Sequence, residues 1–168
     1  MSKKQNKIDL VGILSFGFFI LLIGILFLFI PGLSASISNF FSELNLTAIS
    51  SNNFTEFPSN IYVPTPTSFN LEFYNAVFQF CIIFGFFQIF ALILRYLIND
   101  YVNRKVGNFT AILFWFGAAY LVYIFLNNQV SWMVFLGFLV ILLGLKIVLS
   151  NSINLIINLR KKEEDSLY

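Results

Sequence analysis

The residues able to do chemistry are few. The chain has no His and a single Cys, Cys81. Without His there is no imidazole base, ligand or proton relay. One Cys makes neither an internal disulfide nor a thiolate cluster. Asp9 and Asp100 flank apolar runs, Glu43, Glu56 and Glu72 lie in the stretch 31–75, and Glu163, Glu164 and Asp165 sit together in the C-terminal tail. No metalloprotease helix, Ser–His pair or phosphate-cradling Gly loop is present. The expectation is a protein that is not an enzyme, with no catalytic residue, no cofactor site and no metal site.

The polar side chains inside apolar runs include Gln79, Gln88, Cys81, Arg95 and Lys146. Gln79 and Gln88 are nine residues apart and so fall on opposite helix faces at about 100° per residue. Gln88 shares a seven-residue stripe with Cys81 and Arg95, which points it inward. Its expected role is an interhelical hydrogen bond, on average about 0.6 kcal/mol in membranes. Gln79 is then left to lipid, another subunit or the polar stretch.

What positions these residues follows from composition. Of 168 residues, 58% are hydrophobic and 11% charged, with a mean hydropathy of +0.84. Soluble domains carry about a quarter charged residues, so this chain cannot cover a water-facing surface. Four runs, 10–30, 76–98, 109–126 and 130–149, are long and apolar enough for helices across a bilayer core, which takes about 20 residues. The fold class expected is all-α integral membrane, a four-transmembrane-helix antiparallel bundle forming one domain. Pro31-Gly32 stops the first run, Asn99-Asp100 the second, and Asn108 is the expected N-cap of the third. Asn127-Asn128-Gln129 allows only a tight turn between the last two.

The ten Lys and Arg residues are Lys3, Lys4, Lys7, Arg95, Arg104, Lys105, Lys146, Arg160, Lys161 and Lys162. With four spans all fall on or near one side, and the loop 31–75 has none. The positive-inside rule then places both termini and the tail 150–168 in the cytoplasm, with loop 31–75 outside the cytoplasmic (plasma) membrane. Arg95 and Lys146 are expected to snorkel from cytoplasmic helix ends. Leu33-Ser34-Ala35-Ser36 after the first run resembles a leader cleavage site. That run is longer than a signal core of about 7–15 residues, so an uncleaved anchor is expected.

Within the outer loop, Leu33, Ile37, Phe40, Phe41 and Leu44 recur at helical spacing, predicting a short interfacial helix or a cap on the bundle mouth. The Ser/Thr/Asn/Pro-rich stretch beyond it reads as loop or lid, extended at Tyr62–Pro66. Asn45-Leu46-Thr47 and Asn53-Phe54-Thr55 match the glycosylation pattern.

Helices in lipid associate through small residues. Gly17 and Gly24, Cys81 with Gly85 and Gln88, Ala111 and Ala118 beside Gly117, and Gly137 and Gly144 give each run a seven-residue spacing. All ten are expected to pack helix on helix. No motif ties the chain to a family. The expected function is a non-catalytic structural, assembly or accessory subunit, its partners being membrane lipid and other membrane subunits or further copies, not nucleic acid. The alternative is a small transporter or channel component whose path forms on oligomerisation, lined by Gln79, Ser15 and Thr110. A membrane enzyme would need Glu56, Glu72, Tyr62 and Tyr74 to converge.

Overall fold

The computed structural model describes residues 9–49, 61–67 and 70–165. The chain runs α1 (Leu10–Phe29), α2 (Leu33–Ser42), β1 (Leu44–Ile49), β2 (Ile61–Pro66), α3 (Leu71–Leu97), α4 (Val102–Leu126) and α5 (Trp132–Asp165). It is mostly helical, and α1, α3, α4 and the stretch Trp132–Ile157 of α5 are each long and apolar enough to cross a membrane.

The helices outrun their apolar windows. Asn70 caps α3 by accepting from the Phe73 N–H at 3.1 Å, so α3 starts at Leu71 rather than Ala76. α4 starts at Val102, directly after the turn, which puts Asn108 two turns inside the helix instead of at its cap. α5 continues past Leu149 through its Asn-rich stretch, because once outside the apolar core polar residues keep the backbone bonded as helix. The turns use left-handed Asn99 (φ 50°) and Asn128 (φ 54°) and Gly32 (φ 77°). Asn and Gly tolerate that conformation best.

Packing runs mainly from α1 to α3, α3 to α4 and α4 to α5, with α2 laid on α3. Contacts between α3 and α4 run in opposite order along the two helices. Tyr74 meets Phe125, Phe78 meets Tyr123, Phe86 meets Phe116 and Arg95 meets Asn108. Between them lie Cys81, Ala118 and Ala119, all buried. α1 is held by rings: Phe18 stacks on Phe87 at 3.9 Å, and Phe19 meets Phe80 and Phe84 edge-on. Aromatic pairs of this kind add about 0.5–1.5 kcal/mol beyond area burial.

At one end, β1 and β2 form an antiparallel hairpin with Leu44 opposite Pro66 and Ile49 opposite Ile61. The extended reading of Tyr62–Pro66 is matched by β2. The loop assigned to 45–49 is corrected to strand β1, where Leu44, Leu46 and Ala48 alternate with Asn45 and Thr47 and pair with β2. The Trp132 indole N–H donates to the Pro64 carbonyl at 2.9 Å, pinning the hairpin to the start of α5. α2 is tied to α3 by the Ser36 hydroxyl donating to Glu72 (2.9 Å) and the Asn70 amide donating to the Ser36 carbonyl (2.9 Å). Phe40 stacks on Phe73 at 4.6 Å, while Phe41 is exposed.

Candidate functional site

At the other end, opposite the hairpin, α1, α3 and α4 bring six polar side chains into one network. The Arg95 guanidinium is its centre and is 4% exposed. Its Nε donates to Asn108 Oδ1 at 2.9 Å, one terminal nitrogen donates to Asp100 Oδ2, and the other donates to Asp9 Oδ2 at 3.1 Å. Arg104 bridges the same two carboxylates, 3.2 Å from Asp100 and 3.7 Å from Asp9. The Asn108 amide donates onward to Gln88 Oε1 at 3.3 Å, two helical turns before Arg95 on α3. Asn108 and Gln88 are both buried.

The local sequence builds each position. Asp9 is the N-cap of α1, accepting from the Gly12 N–H at 2.8 Å. A Cβ on Gly12 would lie 2.8 Å from that carboxyl group, so any larger residue there would push the Asp9 carboxyl out of its present place. Asp100 follows the left-handed Asn99 and accepts from the Tyr101 N–H at 2.8 Å. Arg104 stands one helical turn on from Asp100, the spacing at which opposite charges meet.

Burial opposes ionisation of Asp9. The Arg95 hydrogen bond, the Gly12 N–H and the two guanidinium charges outweigh it and hold the carboxyl below its ordinary 3.8. Asp100 is held low in the same way: burial raises it, and the Tyr101 N–H, the Arg95 hydrogen bond and both guanidinium charges lower it further. Two cations face two carboxylates, so the cluster is neutral overall, and a buried charge is tolerable only when paired and hydrogen-bonded in this way. The arrangement offers a lock between helices.

The snorkelling expected of Arg95 is thereby corrected. Asp9, Asp100 and Asn108 supply partners in place, so the side chain turns inward. Lys146 places its ammonium 5.0 Å from the centre of the Phe114 ring. Because α5 continues well beyond Leu149, Lys146 lies far from that helix's end.

The small residues divide. Cys81, Gly85 and Ala118 lie between α3 and α4, with the Phe116 ring seated on Gly85 so that a Cβ there would come within 3.3 Å of it. Gly117 takes the Leu142 side chain of α5, and Ala111 is half-buried. Gly17, Gly24, Gly137 and Gly144 are exposed, and a Cβ on any of them would meet nothing within 4 Å. For those four, packing within the chain is corrected. Phe18, Phe19 and Leu22 on α1, and Phe135, Leu139 and Leu142 on α5, take the inner faces instead.

Gln79 is exposed on the face away from Gln88. Thr110 is 1% exposed and donates to the Gly107 carbonyl, which removes it from any lumen between subunits. Ser15 donates to its own helix at Val11. Tyr74 is buried in the aromatic cluster and Tyr62 is exposed on β2. Asn45 is exposed on β1. Asn53, Glu56, Lys3, Lys4 and Lys7 lie outside the described residues.

Sequence reasoning about basic residues missed Asp9 and Asp100 as partners. The available signal was two carboxylates at the basic ends of apolar runs, with Arg104 one turn from Asp100. No protein family, no curated protein and no solved structure matches this chain.

Proposed function

We propose that the chain is a non-catalytic, multi-pass subunit that assembles with other membrane proteins or with further copies of itself, through helix faces and its outer hairpin. The observation that carries this reading is the unused small-residue faces. Gly17 and Gly24 on α1, and Gly137 and Gly144 on α5, keep the spacing of close helix contacts, while among the described residues nothing lies within 4 Å of a Cβ placed on them. Close approach over small residues is the main source of helix association in lipid. The interior offers little else for a solute, since α3 and α4 close on Ala, Cys and aromatic rings.

The same proposal places the four long helices as an antiparallel bundle in the cytoplasmic membrane. The ionic end and both termini face the cytoplasm, and loop 31–75 lies outside. Its support is the distribution of Lys and Arg.

The test is purification of the full chain from its membrane in mild detergent after in-membrane crosslinking. Wild type is expected to retain a stoichiometric partner or a second copy. Gly17→Leu with Gly24→Leu, or Gly137→Leu with Gly144→Leu, is expected to release it without loss of helical content. An uncrosslinked monomer from wild type would reject the proposal.

A further inference from the structure

A groove of about 400 Å³ opens between the basic ends of α3, α4 and α5. Leu92, Val106 and Phe109 form one wall, and Ile153 and Ile157 of α5 form the other. Tyr96 and Lys105 stand at its edge. The Lys105 ammonium sits 4.6 Å from the centre of the exposed Tyr96 ring, a cation–π contact that fixes its place.

Among the described residues no carboxylate pairs with Lys105. The nearest candidates, Asp9 and Asp100, are occupied by Arg95 and Arg104. Lys105 follows Arg104 by about 100° around α4 and so is turned from the ionic cluster toward the groove. On α5, Arg160 falls one turn beyond Ile157 on the same stripe and is exposed. Glu163 and Glu164 follow Arg160 by three and four residues, which leaves Lys105 as the principal cation of the rim. The groove therefore has hydrocarbon walls and a cationic rim at the helix ends.

From this we propose that the groove binds an anionic phospholipid, its acyl chain lying against Val106, Phe109, Ile153 and Ile157 and its phosphate meeting Lys105. Charge complementarity selects the occupant. A zwitterionic lipid would leave the rim with an added positive group to accommodate, and a soluble anion would leave the apolar walls uncovered. Basic pockets between helix ends are the recurring geometry for acidic headgroups. The inference needs only that the chain spans a membrane and does not depend on its acting as a subunit.

The experiment is native mass spectrometry of the full chain in detergent with phosphatidylglycerol or phosphatidylcholine of identical acyl chains as probes. Wild type is expected to hold one phosphatidylglycerol at collision energies that strip phosphatidylcholine. Lys105→Gln is expected to weaken that retention about fivefold, the worth of one cation at an anionic headgroup, and Lys105→Arg to restore it. Ile157→Trp, which fills the groove and leaves the rim charges in place, is expected to abolish it. Lys146→Gln is expected to leave it unchanged. Equal retention of both lipids, or retention indifferent to Lys105→Gln and Ile157→Trp, overturns the assignment. So does displacement of the lipid by millimolar inorganic phosphate, which would mark a site for soluble anions.

Discussion

Removing Arg95 should cost far more than removing Asp9, although the two are ion-paired. In Arg95→Met the side chain keeps an apolar stem of similar length. Asp100, only 5% exposed, then keeps Arg104 alone, and Asn108 Oδ1 loses its donor. Leaving a buried charge without its partner typically costs about 3–5 kcal/mol, and the remaining Arg104 contact keeps the cost here toward the lower end. Asp9 is 36% exposed, so its pairing is screened, and exposed pairs are worth about 0.2–1 kcal/mol. Asn also caps helices well, so Asp9→Asn removes the charge and keeps the Gly12 bond. Unfolding in mixed micelles with rising SDS, followed by far-UV circular dichroism, should rank the two by a factor of at least about three. Adding Asp100→Asn to Arg95→Met should recover a large part of the loss, because the stranded charge disappears. The reasoning fails if Arg95→Met costs no more than Asp9→Asn, or if the double variant recovers nothing.

Acid should loosen the same end. Both Asp9 and Asp100 are held below 3.8 in the folded chain. Their contribution is therefore complete above the unfolded value of about 3.9 and is lost as pH falls below it through the depressed folded values. Unfolding midpoints measured from pH 7 to 2 should stay level and then drop, with a shallower drop in Asp9→Asn. Trp132→Phe removes the indole donor to Pro64 while keeping a ring. Hydrogen exchange across Tyr62–Pro66 should accelerate severalfold, with α3 and α4 amides unchanged. Gly85→Leu should cost about 1–3 kcal/mol, since the Phe116 ring has to move. Gly24→Leu should leave stability of the isolated chain within about 0.5 kcal/mol.

The long helices were legible because burial in lipid imposes a length and apolarity that few other structures share. Their ends were less so. Asn108 looks like a cap because it follows Gly107, and only the partner at Arg95, thirteen residues earlier, makes it a buried bridge. The ionic cluster depends on α1, α3 and α4 meeting at one end, and no spacing within a single helix encodes that. Gln88 was readable as inward because it shares a stripe with Arg95. The glycine pairs were ambiguous by nature. A small residue permits close approach without naming which neighbour takes it, and on α1 the adjacent Phe18 and Phe19 provide the larger contact to α3. Strand β1 carried a period-two pattern, but in six residues set among Ser and Asn it was too short to stand out.

The ionic cluster also has a consequence for the order in which the chain is made. Asp9 arrives at the membrane with the first helix, Arg95 with the last turn of α3, and Asp100, Arg104 and Asn108 only afterwards. Until the opening turns of α4 leave the ribosome, the carboxylate on α1 and the guanidinium on α3 cannot reach their final neutral set. The first helix to be inserted thus completes its docking only after about eighty further residues have been made.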